Sequence, residues 1–166
     1  MKRFVSLLAV FVFTLSIVLM PIDSYAATNN SVDKVKEISE GHKYIFAKKA
    51  PKLYIEEENI FEFGTESQTF RLKLTNAEWL SMYDFPNSTF EEEMEGNYTD
   101  LTITRITDHV LEVTIHNTAE NCTSNLVYEI PMLVQVGVSG QGPVTVEIDR
   151  KDSVVTAGVY TFAVIK

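Results

Sequence analysis

The stretch QTFRLKLT, at Gln68–Thr75, alternates strictly between polar and apolar side chains. Phe70, Leu72 and Leu74 occupy every second position, and polar residues occupy the positions between them. Because successive side chains of a β-strand point to opposite faces, this pattern predicts a strand with one buried face and one hydrated face.

Shorter segments with similar alternation occur on both sides of this strand and are separated by turn residues. They lie at residues 42–47, 52–56, 78–83, 100–106, 110–116, 144–148 and 158–165. In the last of them, Tyr160, Phe162 and Val164 are expected on one face. With no helix expected over ten residues, this spacing predicts an all-β fold of seven to nine strands, an antiparallel β-sandwich of immunoglobulin-like or related topology. The Cys…Trp…Cys signature of true immunoglobulin domains is missing.

Residues 125–138 are nearly all apolar, which is typical of a central strand covered on both faces. Pro131 lies inside this run and has no N–H to donate to a strand ladder. We therefore expect a bulge at Pro131, or a switch of the chain from one sheet to another.

The N-terminus has the layout of a secretory signal. Apolar residues 4–20 follow a short cationic start, Pro21 ends the run, and Ser24 and Ala26 stand at the −3 and −1 positions of a cleavage site. We expect cleavage after Ala26, with Ala27 as the alternative position. The competing interpretation is an uncleaved anchor, for which this run is at the short limit. Cleavage predicts an extracellular protein, secreted or associated with the cell wall.

This layout divides the chain into a signal peptide at residues 1–26, a polar linker at 27–41 and a β-sandwich domain at 42–166. Within the linker, Ser31 could cap a turn or two of helix, which is too short to be stable alone.

The charge balance is acidic, with a net charge of −9 from 14 Lys and Arg and 23 Asp and Glu. Removal of residues 1–26 takes away two basic residues and one acidic residue. The remaining chain has 12 Lys and Arg, 22 Asp and Glu, and a net charge of −10. A field of this sign repels nucleic acid and anionic lipid, so neither is expected as a partner after signal cleavage. The oligomeric state stays open.

Aromatic side chains gather in and beside a predicted loop at residues 84–97. They are Trp79, Tyr83, Phe85, Phe90 and Tyr98. Exposed aromatic faces can stack on sugar rings or anchor a protein partner, so these five are the candidate ligand-binding residues. In the alternative interpretation Trp79 and Phe85 close the end of the core, since large aromatic residues are mostly buried.

The sequence contains no catalytic or metal-binding motif of recognised spacing, so we expect no catalytic residues, no metal and no cofactor. The glutamates at 56–58 and 91–95 are interpreted as solvated loop charge, with weak calcium binding as the alternative. No Gly-x-Ser-x-Gly elbow supports a hydrolase. Cys122 is the single cysteine and is interpreted as a small buried apolar residue, with intermolecular pairing as the alternative.

Two stretches resemble a known type of domain. They are IPMLVQVGVSGQGPVTVEIDRKDSVVTAGVYTFAVI, at residues 130–165, and FRLKLTNAEWL, at residues 70–80. Both are similar to a β-domain of secreted Gram-positive surface proteins of the stalk-domain type, which often stands beside a copper amine oxidase N-terminal-like domain. That companion domain is itself non-catalytic and is absent from this sequence. The resemblance implies an extracellular spacer or binding module without amine oxidase chemistry.

These observations favour a non-catalytic secreted or cell-surface module that acts as a spacer, adhesion or assembly unit. Its expected partner is a cell-wall or extracellular protein or glycan. The alternative is a carbohydrate-binding module that uses the aromatic residues near the 84–97 loop. A small secreted hydrolase ranks third, because no motif supports it.

Overall fold

The computed structural model describes residues 28–60, 62–81, 101–116, 125–137 and 141–166. These residues form eleven β-strands, a larger number than the seven to nine expected, because several have only three residues. The strands are β1 (Thr28–Val32), β2 (Lys36–Ile38), β3 (Lys52–Glu57), β4 (Gln68–Thr75), β5 (Ala77–Trp79), β6 (Leu101–Thr107), β7 (Val110–Ile115), β8 (Val127–Pro131), β9 (Val134–Val136), β10 (Gly142–Asp149) and β11 (Gly158–Ile165). No helix in this part of the chain has the length and apolarity that crossing a membrane requires. The signal peptide and its cleavage site lie outside the described residues.

The strands are arranged in three sheets. The largest has six strands in the order β2-β11-β10-β4-β7-β6, a second has the order β1-β3-β8, and β5 pairs with β9. Every pairing is antiparallel except that of β2 with β11, which is parallel. The strand predicted from QTFRLKLT is β4, which lies between β10 and β7.

The two larger sheets share one apolar core. Leu53 and Ile55 of β3 are fully buried together with Leu72 of β4, Val146 of β10 and Phe162 of β11. Each such side chain contributes about 1.5–3 kcal/mol on burial. The molecule is therefore a β-sandwich, and the predicted all-β fold class is confirmed.

The chain changes sheet at Pro131, as the sequence predicted. Up to Pro131, β8 pairs with β3, and after two residues β9 pairs with β5 in a different sheet. Between the two strands, the N–H of Met132 donates to the carbonyl of Pro51 at 2.8 Å. The apolar run at 125–138 is thus two short strands and not one central strand.

The segment expected as a polar linker at 27–41 differs from that expectation, since from Thr28 onward it contributes β1 and β2. Thr28 is 2% exposed, and its hydroxyl accepts a hydrogen bond from the N–H of Thr156 at 2.9 Å. Asn30 donates through its side-chain amide to the carbonyl of Thr156 at 2.8 Å. The polar side chains of this segment find their partners in a distant loop, so a strand forms where local sequence indicated a linker with a helical turn.

A β-bulge in β11 alters which of its side chains face the core. Val144 is opposite Ala163 and Thr145 is opposite Thr161, so Phe162 is an extra residue in β11. Phe162 and Ala163 are consequently both buried, and Val164, which the alternation placed inside with Phe162, is only half-buried.

Two other predicted strands are shorter than expected. In the segment 42–47, only Lys43 forms an isolated bridge, with Gln135, and the chain then turns. The strand expected at 78–83 corresponds to β5, which begins at Ala77 and ends at Trp79.

Candidate functional site

Of the five candidate aromatic residues, the structure describes Trp79. Trp79 is 2% exposed within the core, and its backbone N–H donates to the carbonyl of Asp108 at 2.7 Å. The interpretation in which Trp79 closes the core therefore holds, and its indole face is not available for stacking on a sugar. Tyr83, Phe85, Phe90 and Tyr98 lie outside the described residues.

The three glutamates at 56–58 have different environments. Glu56 and Glu58 are exposed, whereas Glu57 is 1% exposed. Its two carboxylate oxygens each accept one backbone N–H, from Phe63 at 2.9 Å and from Leu126 at 2.9 Å. Glu57 therefore orders two loops and does not face a possible ligand.

No group of three or more His, Cys, Asp or Glu side chains suited to a metal ion occurs among the described residues. The second acidic cluster, at 91–95, and Cys122 lie outside these residues.

The histidines make separate contacts. The His42 ring lies 4.5 Å from the Tyr44 ring, His109 Nδ1 is 2.9 Å from the carbonyl of Ala77, and His116 Nε2 is 2.6 Å from the Thr102 hydroxyl. The Thr102–His116 contact joins a hydroxyl to an imidazole, but it is exposed and the structure gives His116 no third group to orient its ring among the described residues. The other two contacts are to an aromatic ring and a backbone carbonyl.

A basic and apolar surface lies between the start of β2 and the start of β3. It carries two exposed apolar side chains, Ile45 and Phe46, which are 45% and 48% exposed. The same segments carry four lysines, which together with these two residues we call the lysine surface: Lys36, Lys43, Lys48 and Lys49. Two adjacent exposed apolar side chains in a segment rich in lysine make this surface the candidate interaction site.

Direct contacts hold the lysine surface in one arrangement. Lys36 Nζ donates to the carbonyl of Lys49 at 2.6 Å and lies 5.1 Å from the centroid of the Tyr44 ring. Lys49 Nζ lies 5.5 Å from the Phe46 ring centroid, and the N–H of Lys49 donates to the carbonyl of Phe46 at 3.0 Å. The Tyr44 N–H donates to the carbonyl of Val134 at 2.9 Å, which fixes the segment to β9.

The charge of the lysine surface is not neutralised by carboxylates of the described residues. Other cations are paired: Lys34 with Asp33, Lys52 with Glu129, Arg71 and Lys151 with Glu112, Lys73 with Asp149, Arg105 with Asp108, and Lys166 with Glu37. Lys36, Lys43, Lys48 and Lys49 have no such partner in this part of the structure. Partial burial, followed by the nearby charge of Lys34, lowers the pKa of Lys36.

Sequence reasoning did not identify this surface. The signal was present, because residues 34–49 contain five lysines and only two glutamates in a chain whose net charge is −9. The boundary between the expected linker at 27–41 and the expected domain at 42–166 divided this segment, and only the net charge of the whole chain was considered.

No family model and no curated protein matches this sequence. The stalk-domain resemblance is accordingly not confirmed and stays a prediction.

Similar solved structures are cohesin modules. A type III cohesin module from the ScaE cell-surface anchoring scaffoldin of Ruminococcus flavefaciens is 9% identical, with a TM-score of 0.47 over 86% of this chain and 78% of that chain. The sixth cohesin of scaffoldin B from Acetivibrio cellulolyticus, solved in complex with a Cel5 dockerin, is 15% identical, with a TM-score of 0.45 over 84% of this chain and 99% of that chain. Likenesses at these identities and TM-scores carry no argument, so function is inferred from the residues of this chain alone.

Proposed function

We propose that this protein is a non-catalytic secreted or cell-surface module that works by binding, as a spacer, adhesion or assembly unit. The observation that carries this proposal is the lysine surface, in which four lysines without an ion pair to the described residues share one region of a β-sandwich with two exposed apolar side chains. The secretory-signal layout of residues 1–26 supports a location outside the cytoplasm.

Charge complementarity defines the partner as acidic. The chain is acidic as a whole, so an anionic partner is repelled by most of its surface and attracted only where the charge reverses. Complementary charge of this kind raises the association rate and fixes the orientation of the partner.

The two apolar side chains favour a protein partner over a glycan or another polyanion. Phe46 and Ile45 gain free energy only if apolar atoms cover them, and an unbranched acidic polymer supplies charge without such atoms. Burial of Trp79 removes the tryptophan on which the glycan-binding alternative was centred. The partner chemistry we propose is therefore an acidic polypeptide segment with interspersed apolar residues.

Fluorescence anisotropy with defined peptide probes tests this proposal on the chain from residue 27 to residue 166. The probes are a labelled peptide that alternates Glu with Phe, a Glu-only peptide of equal charge, and a peptide that alternates Gln with Phe. We expect the Glu-Phe peptide to bind most tightly. Its affinity should fall about tenfold or more in Phe46→Ala or in Lys43→Gln/Lys49→Gln, since truncation of a central interface contact costs about 2 kcal/mol or more and about 1.4 kcal/mol is tenfold.

Lys151→Gln is the matched control, because Lys151 is a surface lysine already paired with Glu112, at 2.7 Å. It should leave peptide binding unchanged. Equal binding of the Glu-Phe and Gln-Phe peptides, or equal affinity in the lysine-surface variants and the wild type, would overturn the proposal.

A further inference from the structure

We propose that the partner of the lysine surface is a second copy of this chain, bound through the opposite end of its strand β3, so that copies associate head to tail. This inference rests on the proposed function, because it takes the lysine surface as the contact site and identifies what occupies it.

The far end of β3 has the complementary chemistry. Residues 53–70 contain no lysine or arginine, and Glu56, Glu58 and Glu66 are exposed. None of these three carboxylates makes an ion pair with the residues that the structure describes. Ile60 lies among them and is 42% exposed. We call Glu56, Glu58, Ile60 and Glu66 the acidic end.

Strand β3 separates the two charged regions. Asp33 and Lys52 exchange hydrogen bonds at 3.1 and 2.9 Å, which places the segment leading into the lysine surface beside the start of β3. The acidic end begins at Glu56, the last residue but one of β3, and continues beyond the strand. From Lys52 to Glu56 the strand advances by four residues. At about 3.3 Å each, this is roughly 13 Å. This distance exceeds the Debye length of about 8–10 Å at ordinary ionic strength.

The lysine surface and the acidic end of one copy consequently cannot neutralise each other. In a head-to-tail pair the acidic end of one copy meets the lysine surface of the next, and Ile60 meets Phe46 and Ile45. Unpaired cations then face unpaired carboxylates, and apolar side chains cover each other. Since the two contact surfaces differ, a dimer leaves one lysine surface and one acidic end free, so further copies add until the assembly closes on itself.

Sedimentation velocity of the chain from residue 27 to residue 166 tests this inference. At low ionic strength the weight-average mass of the wild type should rise steadily with protein concentration. In about 1 M salt, where the Debye length falls to about 3 Å, the same samples should be monomeric.

Two blocked variants identify the surfaces involved. One is Lys43→Gln/Lys48→Gln/Lys49→Gln, which blocks the lysine surface, and the other is Glu56→Gln/Glu58→Gln/Glu66→Gln, which blocks the acidic end. All six side chains are exposed, so both variants should keep the wild-type unfolding midpoint. Each variant alone should remain monomeric, while an equimolar mixture should form a dimer that does not grow further. Lys73→Gln/Lys151→Gln removes ion-paired lysines elsewhere and should associate like the wild type.

The possible results separate this inference from the proposed function. A wild type that stays monomeric at every concentration and low salt overturns the inference, as does continued growth of the blocked variants. If the Glu-Phe peptide still binds the lysine surface in that case, the partner is a different acidic protein and the proposed function stands. If the peptide also fails to bind, both are wrong.

Discussion

Replacement of Glu57 by alanine should destabilise the protein strongly, although neighbouring glutamates can be replaced at little cost. Glu57 ends β3 and is 1% exposed. Its carboxylate accepts the N–H of Phe63 and the N–H of Leu126, both at 2.9 Å. Its backbone N–H donates to the carbonyl of Leu126 at 3.0 Å, so the side chain and main chain together hold the strand to both loops.

The magnitude follows from the two donors that would lose their acceptors. A buried donor without a partner costs about 1–3 kcal/mol. Phe63 is 4% exposed and keeps its N–H away from water, whereas Leu126 is half-buried and admits partial hydration. We therefore expect Glu57→Ala to lower the free energy of unfolding by about 2–4 kcal/mol, a large part of the 5–15 kcal/mol typical of a domain. Glu57→Gln keeps one acceptor oxygen and should lose roughly half as much.

Urea unfolding followed by circular dichroism measures this effect. With a slope of about 2 kcal/mol per molar urea, the midpoint should fall by roughly 1–2 M. Glu56→Ala is the matched control, because its side chain is exposed on the adjacent residue and its removal should change stability by less than about 0.5 kcal/mol. If Glu57→Ala and Glu56→Ala unfold at the same urea concentration, the buried hydrogen bonds of the Glu57 carboxylate do not stabilise the fold.

Trp79, the single tryptophan, should give blue-shifted fluorescence that acrylamide does not quench until the protein is unfolded; quenching in the native state would contradict its burial. Thr28→Val should destabilise the protein by about 1–2 kcal/mol in urea titrations, because the N–H of Thr156 loses its acceptor; an unchanged midpoint would show that β1 is not held there. The hydrogen bond from Lys151 holds the pKa of Glu112 below 4.5, so Glu112 stabilises the fold above that pH and loses its contribution as the pH falls through the folded-state pKa. Lys151→Gln should therefore make stability less sensitive to acid, by about 1 kcal/mol or less because the pair is at the surface; an identical acid profile would contradict this.

Alternation predicted the strands that form the centre of the largest sheet. In β4 and β7, every second side chain is buried because each strand has the core on one face and water on the other. That environment is repeated along the whole strand, so a local pattern is sufficient to identify it. Pro131 indicated the change of sheet for a similar reason, because a residue without an N–H limits strand pairing in any sheet.

The strands that sequence missed depend on distant partners. β1 has the sequence TNNSV, which shows no apolar alternation, and Thr28 is buried through hydrogen bonds with Thr156. β2 has three residues and pairs in parallel with β11 at the other end of the chain. A pattern of period two cannot be recognised in three residues, and contacts across more than a hundred positions are not encoded locally.

The candidate site was predicted less well, because exposure and ion pairing are properties of the folded molecule. Aromatic composition near the 84–97 loop could not reveal that Trp79 points into the core. Similarly, Lys52 and Lys49 are equivalent in the sequence, yet Lys52 forms an ion pair with Glu129, whereas Lys49 makes none with the described residues. Only the pairing of β3 with β8, which sets Lys52 opposite Pro131 and beside Glu129, distinguishes the two lysines.

Strand β3 connects the stability of the fold with the proposed contact surfaces. Leu53 and Ile55 lie in the core, and Glu57 fixes the loops at one end of the strand. The lysines before β3 and the exposed glutamates after it take part in none of these core contacts. Since exposed charges contribute little to folding, their replacement should leave the sandwich intact. A loss of binding or self-association in those variants would therefore report on the contact itself, whereas a Glu57 variant would disturb both the fold and the acidic end.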